Sequence, residues 1–292
     1  MKIIGNEEIR FVKRHPFLGA KIYQKNPQLC CVQIHHSIQG ISGWADLSKP
    51  LDISLSTGPL GDNPNAYSIN EASFNPISVG DFIGSIAMGG SANCEVLTLC
   101  AHGNATHTEC VGHITKNRIG LGEVLKQFWF SAQLISIPLS DRRFVSLGDL
   151  NQHNLLGCEA LVVRSLPNGK DKKSQHWSGN EPPYFAPDVL AYLRDLGIQH
   201  LLTDFPSVDP ESDEGKLLAH HEWWGLPQRS MAGITETIPL QHSRFNSTIT
   251  ELIFVPDALF DGIYMLNLQI PNLCTDAVPS RPVLYAWNTD KQ

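Results

Sequence analysis

Positive charge is scarce in this sequence: 22 lysines and arginines stand against 29 aspartates and glutamates over 292 residues, a formal net charge of -7. Such a chain offers no basic surface to neutralise a row of phosphates, which argues against nucleic acid as a partner. Long apolar runs are missing as well. No stretch approaches the roughly 18 residues that cross a bilayer, so no membrane partner is expected. The opening residues, MKIIGNEEIRFVKRHPF, lack the apolar core and small-residue cleavage site of a secretory leader. The seven cysteines lack regular spacing and their number is odd, which argues against a disulfide framework. A cytoplasmic, reducing compartment is the resulting expectation. Repeats and long Pro/Gly/Ser linkers are also missing, so the chain reads as one domain. The longest basic cluster, Lys170, Lys172 and Lys173, reads as a solvated loop.

What is present is a core. Hydrophobic residues make up 42% of the chain and charged ones 17%, ordinary for a globular enzyme. The segment ADLSKPLDISLSTG alternates Leu47, Leu51, Ile53 and Leu55 with polar residues and predicts a strand. Short apolar runs at 95–100, 133–138, 160–163, 200–203, 249–255 and 264–270, each bounded by turn formers, predict further strands of an extensive sheet. Helices are fewer. Residues 187–196 place Val189, Leu190, Leu193 and Leu196 on one face, with Pro187 at the start and Gly197 as the stop. A second helix is expected from Gly215 into HHEWW, ended by Gly225 and Pro227. The outcome is an α/β fold with a mixed, strand-rich sheet, residues 1–33 forming an N-terminal extension to a domain of 34–292.

The densest concentration of potential ligands is CAHGNATHTECVGHI, where His102, His107, Glu109 and His113 fall within fourteen residues of Cys100. Imidazole and carboxylate together suit borderline divalent metals such as zinc or manganese. An extended backbone puts His107 and Glu109 on one side. Gly103 and Asn104 permit a tight turn that folds His102 back toward them. A lone histidine is more often a surface or hydrogen-bonded residue than a ligand, and spacing alone leaves the choice open.

Here the sequence resembles the cyclase family of hydrolases, which includes bacterial kynurenine formamidases. Their signature has the form His-x-Gly-Thr-His-x-Asp-x-Pro-x-His, and Thr106, His107, Glu109 and His113 match its second half in register. WADLSKPLDISLS is similar to the family's Asp-Leu-Ser strand, TDFPSVDP (203–210) to its Asp-x-x-Ser-x-Asp segment, and LAHHEWW (218–224) to its Ala-His-His segment. TITELIFVPD with the two strands after it resembles the family's closing Glu-x-Leu strand and terminal hairpin. The ordered resemblance covers about Trp44 to Tyr285.

The resemblance implies a swivelling β/β/α fold and one or two divalent ions, zinc or manganese, held by His107, Glu109, His220 and Glu251. It implies His113 as the general base and acid, a homo-oligomer (dimer or tetramer), and a small-molecule amide, formamide, lactam or ester as substrate, N-formylkynurenine among them. Departures are specific. The first signature histidine falls on Gly103, so His102 takes that role only if the turn carries one extra residue. Glu109 replaces an aspartate, and Ala105 and Val111 replace the glycine and proline. Residues 225–247 read as an insertion, and Glu236 within it rivals Glu251. Without the resemblance, His220 and His221 read as a polar helix face, and Trp223 and Trp224 as core or pocket wall. Asp204, Ser207 and Asp209 read as a turn and helix-cap cluster. Two rival functions are a cysteine-dependent hydrolase using Cys110 or Cys100, and a non-catalytic protein with a disabled metal site. Cys110, alternating with the ligands, is expected to face the apolar side.

Overall fold

A computed structural model describes residues 19–26, 29–38, 40–59, 63–139, 142–227 and 244–289. Among these, twelve strands form one sheet. In chain order they are β1 (Gly19–Asn26), β2 (Leu29–Ile38), β3 (Ile41–Asp46), β4 (Leu51–Asp52), β5 (His107–Cys110) and β6 (Trp129–Pro138). Then follow β7 (Ala160–Leu166), β8 (His200–Thr203), β9 (Thr248–Glu251), β10 (Gly262–Gln269), β11 (Ala277–Pro279) and β12 (Arg281–Thr289). Their spatial order is β1-β2-β3-β12-β10-β6-β7-β8-β9-β5-β11, with β4 beside β12.

The centre, β6-β7-β8-β9, is parallel, and antiparallel strands extend it on both sides. Parallel strands are covered on both faces, so they need continuous apolar runs rather than alternation. β8 and β9 are buried at every position, whereas β12 alternates. This is why 133–138, 160–163 and 200–203 are legible as short apolar blocks. The boundary expected at residue 33 falls inside β2, which pairs with β3 and so continues the sheet.

Two helices pack together against this sheet, α4 (Pro187–Asp195) and α5 (Leu218–Trp224); three single-turn helices, α1 (Ala101–Asn104), α2 (Leu121–Val124) and α3 (Leu147–Leu150), sit in connections. Val189, Leu190, Leu193, Trp223 and Trp224 are fully buried in the core. Gly197 at φ +85° and Gly225 at φ +63° end α4 and α5 in the left-handed conformation that glycine tolerates.

Four expectations need correction. The alternating 47–55 segment is not one strand, because each Asp-x-Ser in it closes a side-chain turn. Asp46 accepts from Ser48 N and Oγ at 3.0 and 2.7 Å, and Asp52 from Ser54 N and Oγ at 2.9 and 2.6 Å. Only Leu51–Asp52 remains paired. The 95–100 run forms Glu95–Thr98, a fully exposed strand paired with Ser73–Pro76 outside the main sheet. The 249–255 run stops pairing at Glu251, since Leu252 turns to φ +54° and gives its N–H to Phe205 O. Lys172 is not solvated: its ammonium reaches buried Asp204 at 2.9 Å and Ser165 Oγ at 2.8 Å. A buried carboxylate needs such a partner.

His200 begins β8 with its ring 4.0 Å from that of Phe130 and Nδ1 2.8 Å from Thr248 Oγ1. Burial, reinforced by the Arg244 cation, pushes its pKa down to about 3. The unfolded chain takes up a proton below about 6.5 that the folded chain refuses. Stability from this group is therefore complete above that value and is lost as pH falls toward about 3, by roughly 1.4 kcal/mol per pH unit. Urea titrations of His200→Asn, which can still reach Thr248, should lose stability less steeply than the parent between about pH 6 and 4. Parallel curves would show that His200 protonates freely in the fold.

Candidate metal centre

Strand β5 is inserted between β9 and β11, and that register assembles the centre. Glu251 lies opposite His107, and Ala277 opposite Glu109. His107 and Glu109 share one face of β5. On the other face Thr108 Oγ1 meets Thr250 Oγ1 at 2.8 Å, and Cys110 Sγ donates to Ile119 O at 3.5 Å inside the apolar core. Burial pushes the Cys110 thiol up to about 12.

Each imidazole is held from behind. His107 Nδ1 lies 3.0 Å from Ala105 O. A carbonyl only accepts, so Nδ1 carries a hydrogen and Nε2 is the atom that points inward, 3.3 Å from Glu251 Oε2. Glu251 Oε1 is fixed by Val208 N at 2.8 Å. His220 Nδ1 lies 2.5 Å from Asp209 Oδ2, and its Nε2 faces Glu109 Oε1 at 3.0 Å. Asp209 also caps α5, accepting from Ala219 N at 2.7 Å and His220 N at 3.2 Å. Leu217, at φ +48°, supplies the entry turn, so the helix starts at Leu218 rather than Gly215. His102, on the single turn of α1, brings Nδ1 to 3.2 Å from Glu109 Oε2. His113 brings Nε2 to 3.8 Å from the same oxygen.

The electrostatics converge on Glu109. Burial by itself would raise its pKa, but His113, His220 and His102 hold it well below the carboxylate range. Conversely, burial would depress His102 and His220. The Asp276 and Glu109 carboxylates override it at His102, up to about 10, and Glu109 with Asp209 drive His220 well above its ordinary value.

The residues present fit a divalent cation. His107 Nε2 and Glu109 Oε2 are buried without a hydrogen-bond partner, although other polar atoms approach within 3.3 Å. An imidazole lone pair turned toward a carboxylate oxygen repels it unless something positive lies between. Ligand atoms of His102, His107 and Glu109 fall within 4.8 Å of one another, as do those of Glu109, His113 and His220, and those of His102, His113 and Asp276. The donor set of imidazoles and carboxylates suits zinc or manganese.

A family model described as putative cyclase matches residues 43–210. The chain belongs to the putative cyclase family. It is 28% identical over 221 residues to the kynurenine formamidase of Bacillus mycoides (strain KBAB4), covering 76% of this chain and 93% of that protein. Its fold is similar to that of a potential metal-dependent hydrolase with cyclase activity, with a TM-score of 0.55 and 16% identity over 82% of this chain and 98% of the other. It is also similar to isatin hydrolase A from Labrenzia aggregata bound to benzyl benzoate, with a TM-score of 0.55 and 13% identity over 82% of this chain and 93% of that one.

Within this cyclase-family chain the structure brings together His102, His107, Glu109, His113, His220 and Glu251. Glu236 lies outside the described residues, as does most of the 225–247 insertion. Sequence reasoning missed Asp276 and read Asp209 as part of a turn and helix-cap cluster at the border of the pocket, not as the partner of His220. Asp276 lies 3.3 Å from both His102 Nε2 and His113 Nδ1, and nothing local in CTDAV marks it. Trp224 is core, its indole N–H donating to Ser247 O at 3.0 Å, and its ring is 5.8 Å from that of His220.

Added zinc or manganese should raise the Tm of metal-free protein, and chelator should reverse the shift. Free ion at a hundredfold excess over Kd contributes about 2.7 kcal/mol. Glu109→Gln, similar in shape but uncharged, should lose most of the shift. A wild-type Tm indifferent to both ions would remove the basis for the centre.

Proposed function

We propose that the protein is a metal-dependent hydrolase of a non-peptide carbon-nitrogen bond, with a formamide, lactam or other small amide as substrate. A related ester is the alternative substrate. The observation that carries this reading is the buried convergence of His107, Glu109, His220 and Glu251, with two inward atoms lacking hydrogen bonds, beside the half-buried histidines His102 and His113. The kynurenine formamidase relative supports an arylformamide, such as N-formylkynurenine, as the first substrate to try.

His102, His107, Glu109, His220 and Glu251 would hold one or two ions, and Glu109 is shared by two of the ligand groups. When bound, zinc or manganese supplies Lewis acidity to a carbonyl oxygen and acidifies water enough for attack near neutral pH. His113 does the proton work. Its Nε2 takes the proton from the attacking water as the carbon-oxygen bond forms, then gives it to the leaving nitrogen as the carbon-nitrogen bond breaks. Asp209 and Ala105 O keep His220 and His107 turned inward. Tyr67 donates its hydroxyl to Pro206 O at 2.8 Å; burial of that group and the Glu251 carboxylate hold its pKa well up, so it stays neutral.

The cysteine-dependent reading finds no support in Cys110, whose thiol is buried on the opposite face of β5. Cys100 is exposed at the start of α1. A disabled site is disfavoured because His102 approaches Glu109 despite the shifted signature. A dimer or tetramer fits the exposed apolar side chains Val79, Ile86, Met88, Val96 and Leu97 in the segment before α1.

A hydrolysis screen of formamides, lactams and esters with zinc, manganese or chelator tests the class and the metal together. Turnover should require metal and withstand a thiol reagent. His113→Ala should keep its metal and lose about 10²- to 10⁴-fold in kcat. Normal turnover in that variant would reject the role given to His113.

A further inference from the structure

Asp276, like Asp209, touches the centre from outside the proposed ligand set. We propose that Asp276 is a positioning residue that fixes which ring nitrogen two histidines present to the centre: Nδ1 of His102 and Nε2 of His113. The consequence for catalysis rests on the hydrolase reading above; the positioning itself does not.

One oxygen, Asp276 Oδ2, lies 3.3 Å from His102 Nε2 and 3.3 Å from His113 Nδ1. An ionised carboxylate only accepts, so a neutral ring turned toward it carries its hydrogen on the facing nitrogen. Once metal has replaced the second proton, the opposite nitrogen offers a lone pair. For His102 that atom is Nδ1, 3.2 Å from Glu109 Oε2; for His113 it is Nε2, 3.8 Å from the same oxygen. The two rings lie 4.3 Å apart at an interplanar angle of 31°, so a single acid reaches both. His107 receives the same treatment from Ala105 O and His220 from Asp209. All four imidazoles of the centre therefore have a fixed partner behind them.

Asp276 is itself well placed to hold a position. Its backbone carbonyl accepts from Cys110 N at 3.0 Å, and Ala277, the next residue, stands opposite Glu109 in the sheet. Thr275 Oγ1 donates to its Oδ1 at 3.2 Å, which leaves Oδ2 for the two histidines. The competing view is an incidental, partly exposed ion pair that contributes little and selects no tautomer once metal is bound. Asp276 lies beyond the residues 43–210 matched by the family model, in a stretch whose placement depends on β11 pairing with β5. The one-residue shift of the signature histidine onto position 102 gives it a task here. His102 reaches Glu109 from a turn, and a partner on its far nitrogen prevents the ring from rotating away.

The test is long-range proton-nitrogen NMR of histidine side chains in zinc-loaded protein. Wild-type His113 should carry its hydrogen on Nδ1 and His102 on Nε2. Asp276→Asn, whose amide can also donate, should move hydrogen on His113 toward Nε2 and weaken zinc affinity by about 10- to 100-fold. In that variant kcat should fall more than KM changes, and Asp276→Glu should recover part of the loss. The opposite tautomers in the wild type, or tautomers and zinc affinity unchanged in Asp276→Asn, would overturn the proposal. Because the wild-type spectrum stands alone, a variant that fails to fold does not remove the test. If the tautomers are as stated but no substrate is turned over, the hydrolase reading fails and the positioning role stands.

Discussion

A carboxylate wholly withdrawn from water sits on β5, and the surrounding architecture compensates for it. Removing Glu109 from solvent costs on the order of several kcal/mol unless opposite charge and hydrogen bonds offset it. Three histidines supply the offset, and two of them, His102 and His220, are held charged in the metal-free protein by acids on both sides. A divalent cation would replace those protons. Metal and protons therefore compete for the same lone pairs, so metal affinity in this fold depends on pH by construction.

The second layer of acids and carbonyls gives this arrangement its direction. Ala105 O, Asp209 and Asp276 stand behind His107, His220 and the His102–His113 pair. Asp209 does two jobs at once, closing the start of α5 and turning His220. Asp204 with Lys172 and Ser165 anchors the start of the same loop. The loop from Asp204 to Asp209 is thus tied at both ends, and in between Val208 N fixes Glu251. A site assembled this way is preorganised by backbone as much as by side chains.

The sequence made the parallel centre legible because strands covered on both faces must be uniformly apolar, and α4 because Pro187, its one-sided leucines and Gly197 agree. It misled where side chains compete with backbone pairing, as at Asp46 and Asp52, whose serine-directed turns break up an alternation that otherwise reads as a strand. Lys172 was illegible for a different reason: its partner lies 32 residues away, at Asp204, and no local pattern records that. At the site, His107 and Glu109 followed from period-two geometry, while His220 and Glu251 came only through family resemblance. Asp276 came through neither, since its approach to His102 spans 174 residues and is created by strand pairing alone.

The insertion of β5 between β9 and β11 has a consequence for how the chain acquires its shape. Both flanking strands follow β5 by well over a hundred positions, so the histidine-bearing segment must wait, unpaired on either edge, until nearly all of the polypeptide is available. Contacts of such long sequence separation carry a large loop-closure cost and are typical of slow folders. A ribosome-bound fragment ending before residue 248 would display every ligand of the local motif and still lack the geometry to use them.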